Sequence, residues 1–311
     1  MKKCLIVDKM HDSIVPLLND IGFEAEYLPT ITRQEVLEQI SEYDGLIVRS
    51  KLMIDRELIE RATRLTFVAR AGAGLDQLDE IALNERDISI LNAPEGNRDA
   101  LAEHTIGMLL NLFNHISVAD RQIREGKWDR EGNRGIELMG KTVGLIGYGF
   151  MGQAFAQRLS SFGVTVLAYD KYKQNYSDAF AREASMDELY SQADILSLHV
   201  PLTEETQFLV DENYLSRFDK NIFLVNTARG KVIRLKSLVD ALESGKVRGA
   251  ALDVLENEKI NSLTKEQQNS FNYLRQSERV VFTPHVAGWT FESYEKINLT
   301  LVRKIKALNL A

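Results

Sequence analysis

Three polar side chains that could carry out one reaction together follow separate apolar runs in the second half of the chain. Arg229 lies in NTARG, Glu258 in ALDVLENEK and His285 in TPHVAGWT. An arginine can bind a carboxylate through two parallel hydrogen bonds, and a histidine can transfer a proton near neutral pH. A carboxylate beside the histidine would fix its tautomer and stabilise its charged form. The set suits hydride transfer between a 2-hydroxy acid and a nicotinamide.

A glycine-rich stretch, GLIGYGFMG, indicates where a dinucleotide could bind. Gly147 would allow a tight turn, Gly149 would admit a pyrophosphate, and Gly152 would let a helix pack closely on a strand. Asp170 ends the next predicted strand, 18 residues after Gly152, and could accept hydrogen bonds from a ribose 2′-hydroxyl. An acid there would repel a 2′-phosphate, so the pattern favours NAD over NADP.

The glycine pattern leaves two alternatives open. It could be a structural turn of an α/β protein, or the glycine turn of a methyltransferase, which also has an acid at the end of its second strand. NTARG and TPHVAG would have no role in a methyltransferase, so the rest of the chain favours a dehydrogenase.

The elements that must position these residues alternate between short apolar strands and helices, which predicts parallel sheets with both faces covered. A first series of strands is predicted at 4–8, 44–50, 65–72 and 88–94. A second series, which begins with the strand before Gly147, continues at 164–170, 194–201, 221–228, 247–254 and 279–285. Ligands of such sheets bind beyond the carboxyl ends of the strands, where every motif above falls.

One long apolar helix pattern after Pro94 separates the two series, with Asn97 or Asp99 as candidate caps. The predicted fold is two Rossmann-like α/β domains with a cleft between them. Residues 1–96 and 287–311 would form a flavodoxin-like substrate-binding domain, and residues 97–286 a doubly wound NAD-binding domain. A final helix at 289–310 would pack on the first domain.

Composition limits the setting and the partners. The 311 residues carry a net charge of −7 with acids and bases interspersed, which argues against a nucleic-acid surface. Cys4 is the only cysteine, so the chain can form neither an internal disulfide nor a cysteine metal site, and no metal is predicted. We find no stretch that reads as a signal peptide or a membrane span, and expect a cytoplasmic location.

Taken together, the motifs resemble the D-isomer-specific 2-hydroxyacid dehydrogenase family. The matching blocks are GLIGYGFMG, LHVPLTEET, NTARG, GAALDV with an acid five residues after Asp253, and TPHVAG, and RAGAGLDQLD and NAPEGN extend them into the first domain. The resemblance implies an NAD-dependent oxidoreductase, a homodimer, and a catalytic set of Arg229, Glu258 and His285. It implies an NAD site lined by Gly147, Gly149, Phe150, Met151, Gly152, Asp170, Thr206, Thr227, Ala228 and Asp253.

On the substrate side, the resemblance implies that Ala73 and Gly74 offer backbone N–H groups to the substrate carboxylate. Phosphoglycerate dehydrogenases resemble the chain in having arginines where Arg49 and Arg70 stand. A cleft with these two and Arg229 would suit a substrate that has a phosphate and a carboxylate, which favours oxidation of D-3-phosphoglycerate to 3-phosphohydroxypyruvate in serine biosynthesis. In the alternative, Arg70 pairs with an acid and Arg49 caps a loop.

Other functions stay open at this point. The main alternative is reduction of glyoxylate, hydroxypyruvate or another 2-keto acid, and a different class is a regulatory protein that senses NAD. The 311 residues leave no room for the regulatory domain of longer phosphoglycerate dehydrogenases, so serine feedback through such a module is not expected.

The chain departs from the family pattern at three places. No proline follows Glu258, residues 260–278 make the stretch before His285 longer than usual and include a predicted extra helix, and Trp289 stands where a small residue is usual. These departures concern the shape of the substrate site more than the chemistry.

Overall fold

The β-strands of the chain form separate parallel sheets in the computed structural model, which describes residues 1–309. In chain order the strands are β1 (Lys2–Ile6), β2 (Phe23–Tyr27), β3 (Gly45–Val48), β4 (Phe67–Arg70), β5 (Ser89–Asn92), β6 (Thr142–Ile146), β7 (Thr165–Tyr169), β8 (Arg182–Glu183), β9 (Ile195–Leu198), β10 (Ile222–Asn226), β11 (Val247–Leu252) and β12 (Val280–Phe282). The helices are α1 (Ile14–Asp20), α2 (Arg33–Gln39), α3 (Arg56–Arg61), α4 (Glu80–Glu85), α5 (Pro94–Asn114), α6 (Ile116–Arg124), α7 (Phe150–Leu159), α8 (Met186–Gln192), α9 (Glu212–Ser216), α10 (Leu235–Glu243), α11 (Lys265–Gln276) and α12 (Phe291–Ala307).

The chain divides into two units. The first unit consists of Met1–Arg98 and the described residues from Trp289 onward, and the second of Asp99–Gly288. Both borders lie two residues beyond the predicted ones, and residues 310 and 311 of the predicted substrate-binding domain lie outside the described part.

The first unit contains the first sheet, with strand order β2-β1-β3-β4-β5 and every neighbouring pair parallel. The order reverses between β1 and β3, as it does in flavodoxin-like sheets, so the predicted fold of this unit is confirmed. Apolar residues cover both faces, and α12 contributes Ile297, Leu301 and Ile305 to one of them.

The second unit contains the second sheet, with order β12-β11-β10-β9-β6-β7-β8, again parallel throughout. Its order reverses between β6 and β9, the doubly wound arrangement that was predicted. The carboxyl ends of β6, β9, β10 and β11 therefore lie side by side along one edge.

Two strands were missed by the sequence analysis. The sequence of β2, FEAEY, alternates apolar with charged residues and lies at the edge of the first sheet, and β8 has only two residues at the edge of the second. An edge strand needs no continuous apolar run, because it is less enclosed than the central strands.

The single long helix predicted after Pro94 is wrong in two details. The structure divides it at His115, whose φ of +52° is incompatible with a continuing helix. The helix α5 also begins at Pro94, so neither Asn97 nor Asp99 caps it. Proline suits a first helical position because its missing N–H would have no acceptor there. Asp99 instead accepts a hydrogen bond from Arg158 at 3.1 Å.

The extra helix predicted within residues 260–278 is present as α11, which packs against α10. Its first turn is closed by Thr264 and Gln267, each of which binds the other's backbone N–H.

No helix within residues 1–309 combines the length and the apolar character that crossing a membrane would require.

Candidate active site

The glycines after β6 differ in the space around them. Gly147 has a φ of +92°, and a Cβ at this position would lie 2.5 Å from the carbonyl oxygen of His199. A Cβ on Gly152 would overlap the carbonyl oxygen of Gly147, whereas one on Gly149 would meet open space. The loop is therefore compact at its two ends, and a ligand can approach its backbone in the middle.

The helix α7 starts in this open region. Gly149 precedes it, and Phe150, Met151 and Gly152 form its first turn. The first N–H groups of a helix have no acceptor within it, and the helix dipole adds partial positive charge there. This turn fits the pyrophosphate of a dinucleotide, for which Phe150 and Met151 would supply the N–H groups.

Asp170, immediately after β7, organises the same loop. Its Oδ2 accepts the Tyr148 N–H at 2.9 Å and its Oδ1 accepts the Tyr172 N–H at 3.1 Å. Each carboxylate oxygen can accept a further hydrogen bond, so a ribose hydroxyl could also bind. The Tyr148 hydroxyl donates to Asp178 at 2.9 Å, and burial together with that carboxylate raises the pKa of Tyr148. The Asp170 carboxylate thus helps to fix the backbone of the glycine loop at Tyr148.

The other residues predicted for the NAD site follow neighbouring strands. Thr206 lies in the loop after β9, where its hydroxyl donates to the Pro201 carbonyl at 2.6 Å. Thr227 and Ala228 are buried directly after β10, and the Ala228 N–H donates to Asn226 at 3.0 Å. Because β9 and β10 follow β6 in the sheet, all three residues lie at the edge that carries the glycine loop.

The structure brings His285 and Glu258 together. The Nδ1 atom of His285 lies 2.9 Å from Oε1 and 3.0 Å from Oε2 of Glu258. Both side chains are about half exposed, at 48% and 47%. With Glu258 accepting the hydrogen of Nδ1, the atom that can exchange a proton with another molecule is Nε2.

The loop that carries His285 is fastened to Asp253. The backbone N–H of His285 donates to the Asp253 carbonyl at 2.7 Å. The N–H groups of Val286 and Ala287 donate to the two carboxylate oxygens, each at 2.9 Å. The hydroxyl of Thr283 donates to Oδ1 at 2.6 Å. These contacts hold His285 at a φ of +56°, a conformation that non-glycine residues seldom adopt.

This anchoring role of Asp253 was missed by the sequence analysis, which placed the residue only in the NAD site. The signal was available, because an acid at the end of a buried strand must find donors nearby. Asp253 is only 2% exposed. His104 of α5 adds a further contact, since its Nε2 lies 3.0 Å from the Thr283 hydroxyl.

His199, at the end of β9, plays a different part from His285. Its Nε2 lies 2.9 Å from the Ser197 hydroxyl, its ring packs on Phe155, and its carbonyl borders Gly147. Burial lowers its pKa to about 4. The imidazole is therefore neutral at pH 7 and serves as a packed neighbour of the glycine loop.

The loop of Arg229 lies against the segment that leads to Glu258. Asn226 joins the two, since its carbonyl accepts the Asp253 N–H at 3.0 Å and its side chain donates to the Arg229 carbonyl at 3.0 Å. A Cβ on Gly230 would overlap the backbone of Leu255. The Arg229 guanidinium donates to the Ala228 carbonyl at 2.7 Å.

The predicted substrate residues of the first unit lie at the carboxyl edge of the first sheet. Arg49 follows β3 and Arg70 ends β4, the strand beside it. The Arg70 guanidinium covers Gly72, where a Cβ would overlap Nη1. Ala73 and Gly74 follow in the same loop, which is tied to β5 because Asn92 donates to the Ala73 carbonyl at 2.7 Å.

Within residues 1–309, no group of three or more His, Cys, Asp or Glu side chains could hold a metal ion.

Comparisons with known proteins place the chain in a family. Residues 106–287 match the model of the D-isomer specific 2-hydroxyacid dehydrogenase, NAD binding domain. The D-3-phosphoglycerate dehydrogenase of Methanocaldococcus jannaschii is 36% identical over 309 residues, which are 98% of this chain and 57% of that protein. The hydroxypyruvate reductase of Thermotoga maritima is 36% identical over 299 residues, 96% of this chain and 94% of that protein.

Solved structures agree with the sequence matches. A glyoxylate reductase from Paecilomyes thermophila superposes with a TM-score of 0.86 at 27% identity, over 98% of this chain and 94% of that one. The chain spans little more than half the length of the matched phosphoglycerate dehydrogenases, and nearly all of the matched hydroxypyruvate reductase. The predicted family is thereby confirmed: the chain belongs to the D-isomer specific 2-hydroxyacid dehydrogenases, a family of oxidoreductases.

Proposed function

We propose that the protein is an NAD-dependent dehydrogenase that oxidises D-3-phosphoglycerate to 3-phosphohydroxypyruvate. The observation that carries the proposed chemistry is the 2.9 Å contact between His285 Nδ1 and Glu258, which would leave Nε2 to exchange a proton with a substrate hydroxyl. Bound NAD would accept a hydride from the carbon that bears this hydroxyl. The roles of the protein groups follow from their chemistry.

In the direction of oxidation, His285 would take the hydroxyl proton at Nε2 while Glu258 stabilises the resulting imidazolium. Arg229 would bind the substrate carboxylate through two hydrogen bonds and polarise the nearby carbonyl that forms. Ala73 and Gly74 would donate backbone N–H groups to that carboxylate. In the reverse direction His285 returns the proton, so the same residues serve reduction.

The NAD site that we propose consists of the glycine loop, the first turn of α7 and Asp170, with Thr206, Thr227, Ala228 and Asp253 along the same sheet edge. The space around Gly149 supports this site, because a ligand can approach the backbone there and the first N–H groups of α7 have no acceptor within the helix. The Asp170 carboxylate would select a ribose hydroxyl over a 2′-phosphate.

The choice of substrate rests on Arg49 and Arg70, for which we propose contacts with a phosphate group. Guanidinium groups bind phosphate through paired hydrogen bonds. The phosphoglycerate dehydrogenase of Methanocaldococcus jannaschii, at 36% identity, supports this choice. The place of the reaction in serine biosynthesis and in the cytoplasm is part of the same proposal.

Reduction of hydroxypyruvate or glyoxylate is the second candidate. The observation that favours it is a sequence match, because the Thermotoga maritima hydroxypyruvate reductase is 36% identical to this chain over 299 residues. The two candidates share the roles of His285, Glu258 and Arg229 and differ only in whether the substrate carries a phosphate.

A matched set of substrates separates these functions. We would follow nicotinamide absorbance with D-3-phosphoglycerate and D-glycerate for oxidation, and with 3-phosphohydroxypyruvate, hydroxypyruvate and glyoxylate for reduction. The proposal expects a higher kcat/KM for the phosphorylated member of each pair. Higher values for hydroxypyruvate and glyoxylate would establish the second candidate, and NAD binding without turnover of any acid would favour an NAD-sensing protein.

We also propose that the protein forms a homodimer through the second unit. The helix α6 has no buried residue, and the apolar side chains of Ile116 and Ile123 are 53% and 50% exposed. Trp128, shortly after this helix, is 84% exposed. Apolar side chains grouped in this way are typical of a surface that another chain covers. Light scattering after size-exclusion chromatography would give the mass, and a monomer would contradict the proposal.

A further inference from the structure

Trp289 is the departure from the family pattern that the proposed chemistry does not use. The start of α12 fixes its place. The Thr290 hydroxyl accepts the Ser293 N–H at 3.0 Å, and the Ser293 hydroxyl accepts the Thr290 N–H at 2.9 Å. Trp289 precedes this cap and packs against Tyr294 in the next turn, with ring centres 5.0 Å apart. Such a contact fixes the direction in which a chain enters its helix.

Arg49 lies on this aromatic pair. Its guanidinium carbon is 3.2 Å from the centre of a Trp289 ring and 5.4 Å from that of Tyr294. The first distance places the planar guanidinium in stacking contact with the indole. The ring of His11 also contacts Tyr294, with ring centres 5.9 Å apart. We call Arg49, Trp289 and Tyr294 the arginine stack.

The backbone beneath the stack is also fixed. The Asp8 carboxylate accepts the Arg49 N–H at 2.7 Å and the Ser50 N–H at 3.5 Å. Within residues 1–309, no carboxylate forms an ion pair with the Arg49 side chain. Burial lowers the pKa of Arg49, but an arginine stays protonated over the physiological range. The stack therefore holds a positive charge that its own surroundings do not neutralise with an ion pair.

The stack lies at the place where the first sheet would bind a ligand. Asp8 follows β1 and Arg49 follows β3, and the strand order reverses between these two strands. Ligands of open parallel sheets bind beyond the carboxyl ends of the strands at such a reversal. One side of the Arg49 guanidinium faces the Tyr294 hydroxyl. Because its flat face rests on the indole, the other N–H groups of its edge can bind a ligand with paired oxygens.

From these observations we propose that Trp289, supported by Tyr294, is a positioning residue that holds the Arg49 guanidinium ready to bind the phosphate of the substrate. The inference rests on the proposed function and deepens it, because it assigns the preference for phosphate to an aromatic residue that contacts Arg49. A side chain held in place before binding loses less conformational freedom when the ligand arrives. Trp289 thereby strengthens phosphate binding through Arg49.

Binding in the absence of turnover tests the proposal. With the protein saturated with NADH, titration calorimetry would give the Kd of D-3-phosphoglycerate and of D-glycerate, whose ratio isolates the phosphate. Trp289→Ser should lower this preference about three- to tenfold, the size expected for a lost cation–π contact and its ordering. Trp289→Phe, which keeps an aromatic face, should retain most of it. Arg49→Lys, which keeps the charge without the planar fork, should lose it.

Phe291→Ser is the matched control, since Phe291 is an aromatic residue on the same helix start and is 94% exposed. It should leave the preference unchanged. In kinetics, Trp289→Ser should raise KM for D-3-phosphoglycerate by a larger factor than it lowers kcat, a split that general damage to the fold would not produce.

The outcomes distinguish this inference from the proposed function. A wild-type protein that prefers D-3-phosphoglycerate, with the preference retained in Trp289→Ser, would overturn the inference alone. A stronger preference in Trp289→Ser would also overturn it, by showing that the indole obstructs the phosphate. A wild-type protein without the preference would overturn both.

Fluorescence provides a separate measurement. The variant Trp128→Phe leaves Trp289 as the one tryptophan of the chain. Added D-3-phosphoglycerate should change the fluorescence of Trp289 saturably, and no change would contradict the inference.

Discussion

The proposed catalytic histidine of the second unit and the two arginines of the first unit, Arg49 and Arg70, are held by different kinds of contact. The His285 loop is fastened by hydrogen bonds from its backbone to Asp253, and His285 itself contacts Glu258. The backbone of Arg49 also binds a carboxylate, that of Asp8, but its guanidinium rests on the face of Trp289, and the guanidinium of Arg70 covers Gly72. Directional hydrogen bonds to a carboxylate demand one residue type, whereas a stacking face can be supplied or removed by a single aromatic substitution.

This difference has a consequence for function. Changes in the contacts of the His285 loop should abolish the reaction or misplace its groups, because each of these contacts has one suitable partner. Changes in the first unit should shift the preference among acids while the reaction continues. The predictions below test this division.

The largest effect is expected from His285→Ala, which removes the proposed proton acceptor. Turnover should fall by roughly 10²–10⁴-fold, the usual contribution of general acid–base catalysis. NADH binding, followed by fluorescence, should persist and would show that the fold is intact. Near-normal turnover would remove His285 from the mechanism, and with it the view that the second unit carries the chemistry.

Asp253→Asn should have the next largest effect. Two acceptor oxygens become one oxygen and one donating NH₂ group, so an N–H of Val286 or Ala287 loses its acceptor. A shift of His285 by about 1 Å could lower kcat on the order of 10²-fold. Steady-state kinetics measures the change.

Asp240→Asn is the control for this variant, because the Asp240 side chain forms an ion pair with Lys236 on the surface of α10. If both substitutions had equally small effects on kcat, the proposed anchoring of the His285 loop would be wrong.

The sequence predicted the strands that contain continuous apolar runs, and it predicted the motifs at their ends. It failed where the pattern was short or amphipathic, as in β2 and β8, and at His115, where a helix ends without glycine or proline. A local sequence pattern shows how often apolar residues recur along the chain. The two edge strands and the helix end at His115 depend instead on tertiary contacts, which this spacing does not reveal.

For the candidate site, the sequence pointed to His285 and Glu258 through family motifs, and their contact is present. It could not predict the contact of Arg49 with Trp289, because the two residues stand 240 positions apart and no sequence motif links them. Likewise, the spacing of Asp253 and TPHVAG does not reveal which N–H groups the carboxylate binds. Contacts of this kind follow from the folded arrangement of loops.

Asp170→Asn should change the cofactor preference by a smaller factor. The amide can still accept one of the N–H groups of Tyr148 and Tyr172, while the charge that would repel a 2′-phosphate is lost. The ratio of kcat/KM for NADP to that for NAD should rise about tenfold. An unchanged ratio would show that Asp170 serves the loop alone.

The smallest effect is expected in the first unit, from Arg70→Lys. The charge is kept but the planar fork is lost, so KM for 3-phosphohydroxypyruvate should rise about three- to fivefold more than KM for glyoxylate. Loosening of the loop over Gly72 would affect both substrates, and the comparison between them removes that contribution. If KM rose equally for the two substrates, Arg70 would not bind the phosphate, and Arg49 would remain the candidate for that role. A fall in kcat as large as that of Asp253→Asn would erase the distinction between a unit that carries chemistry and a unit that selects the substrate.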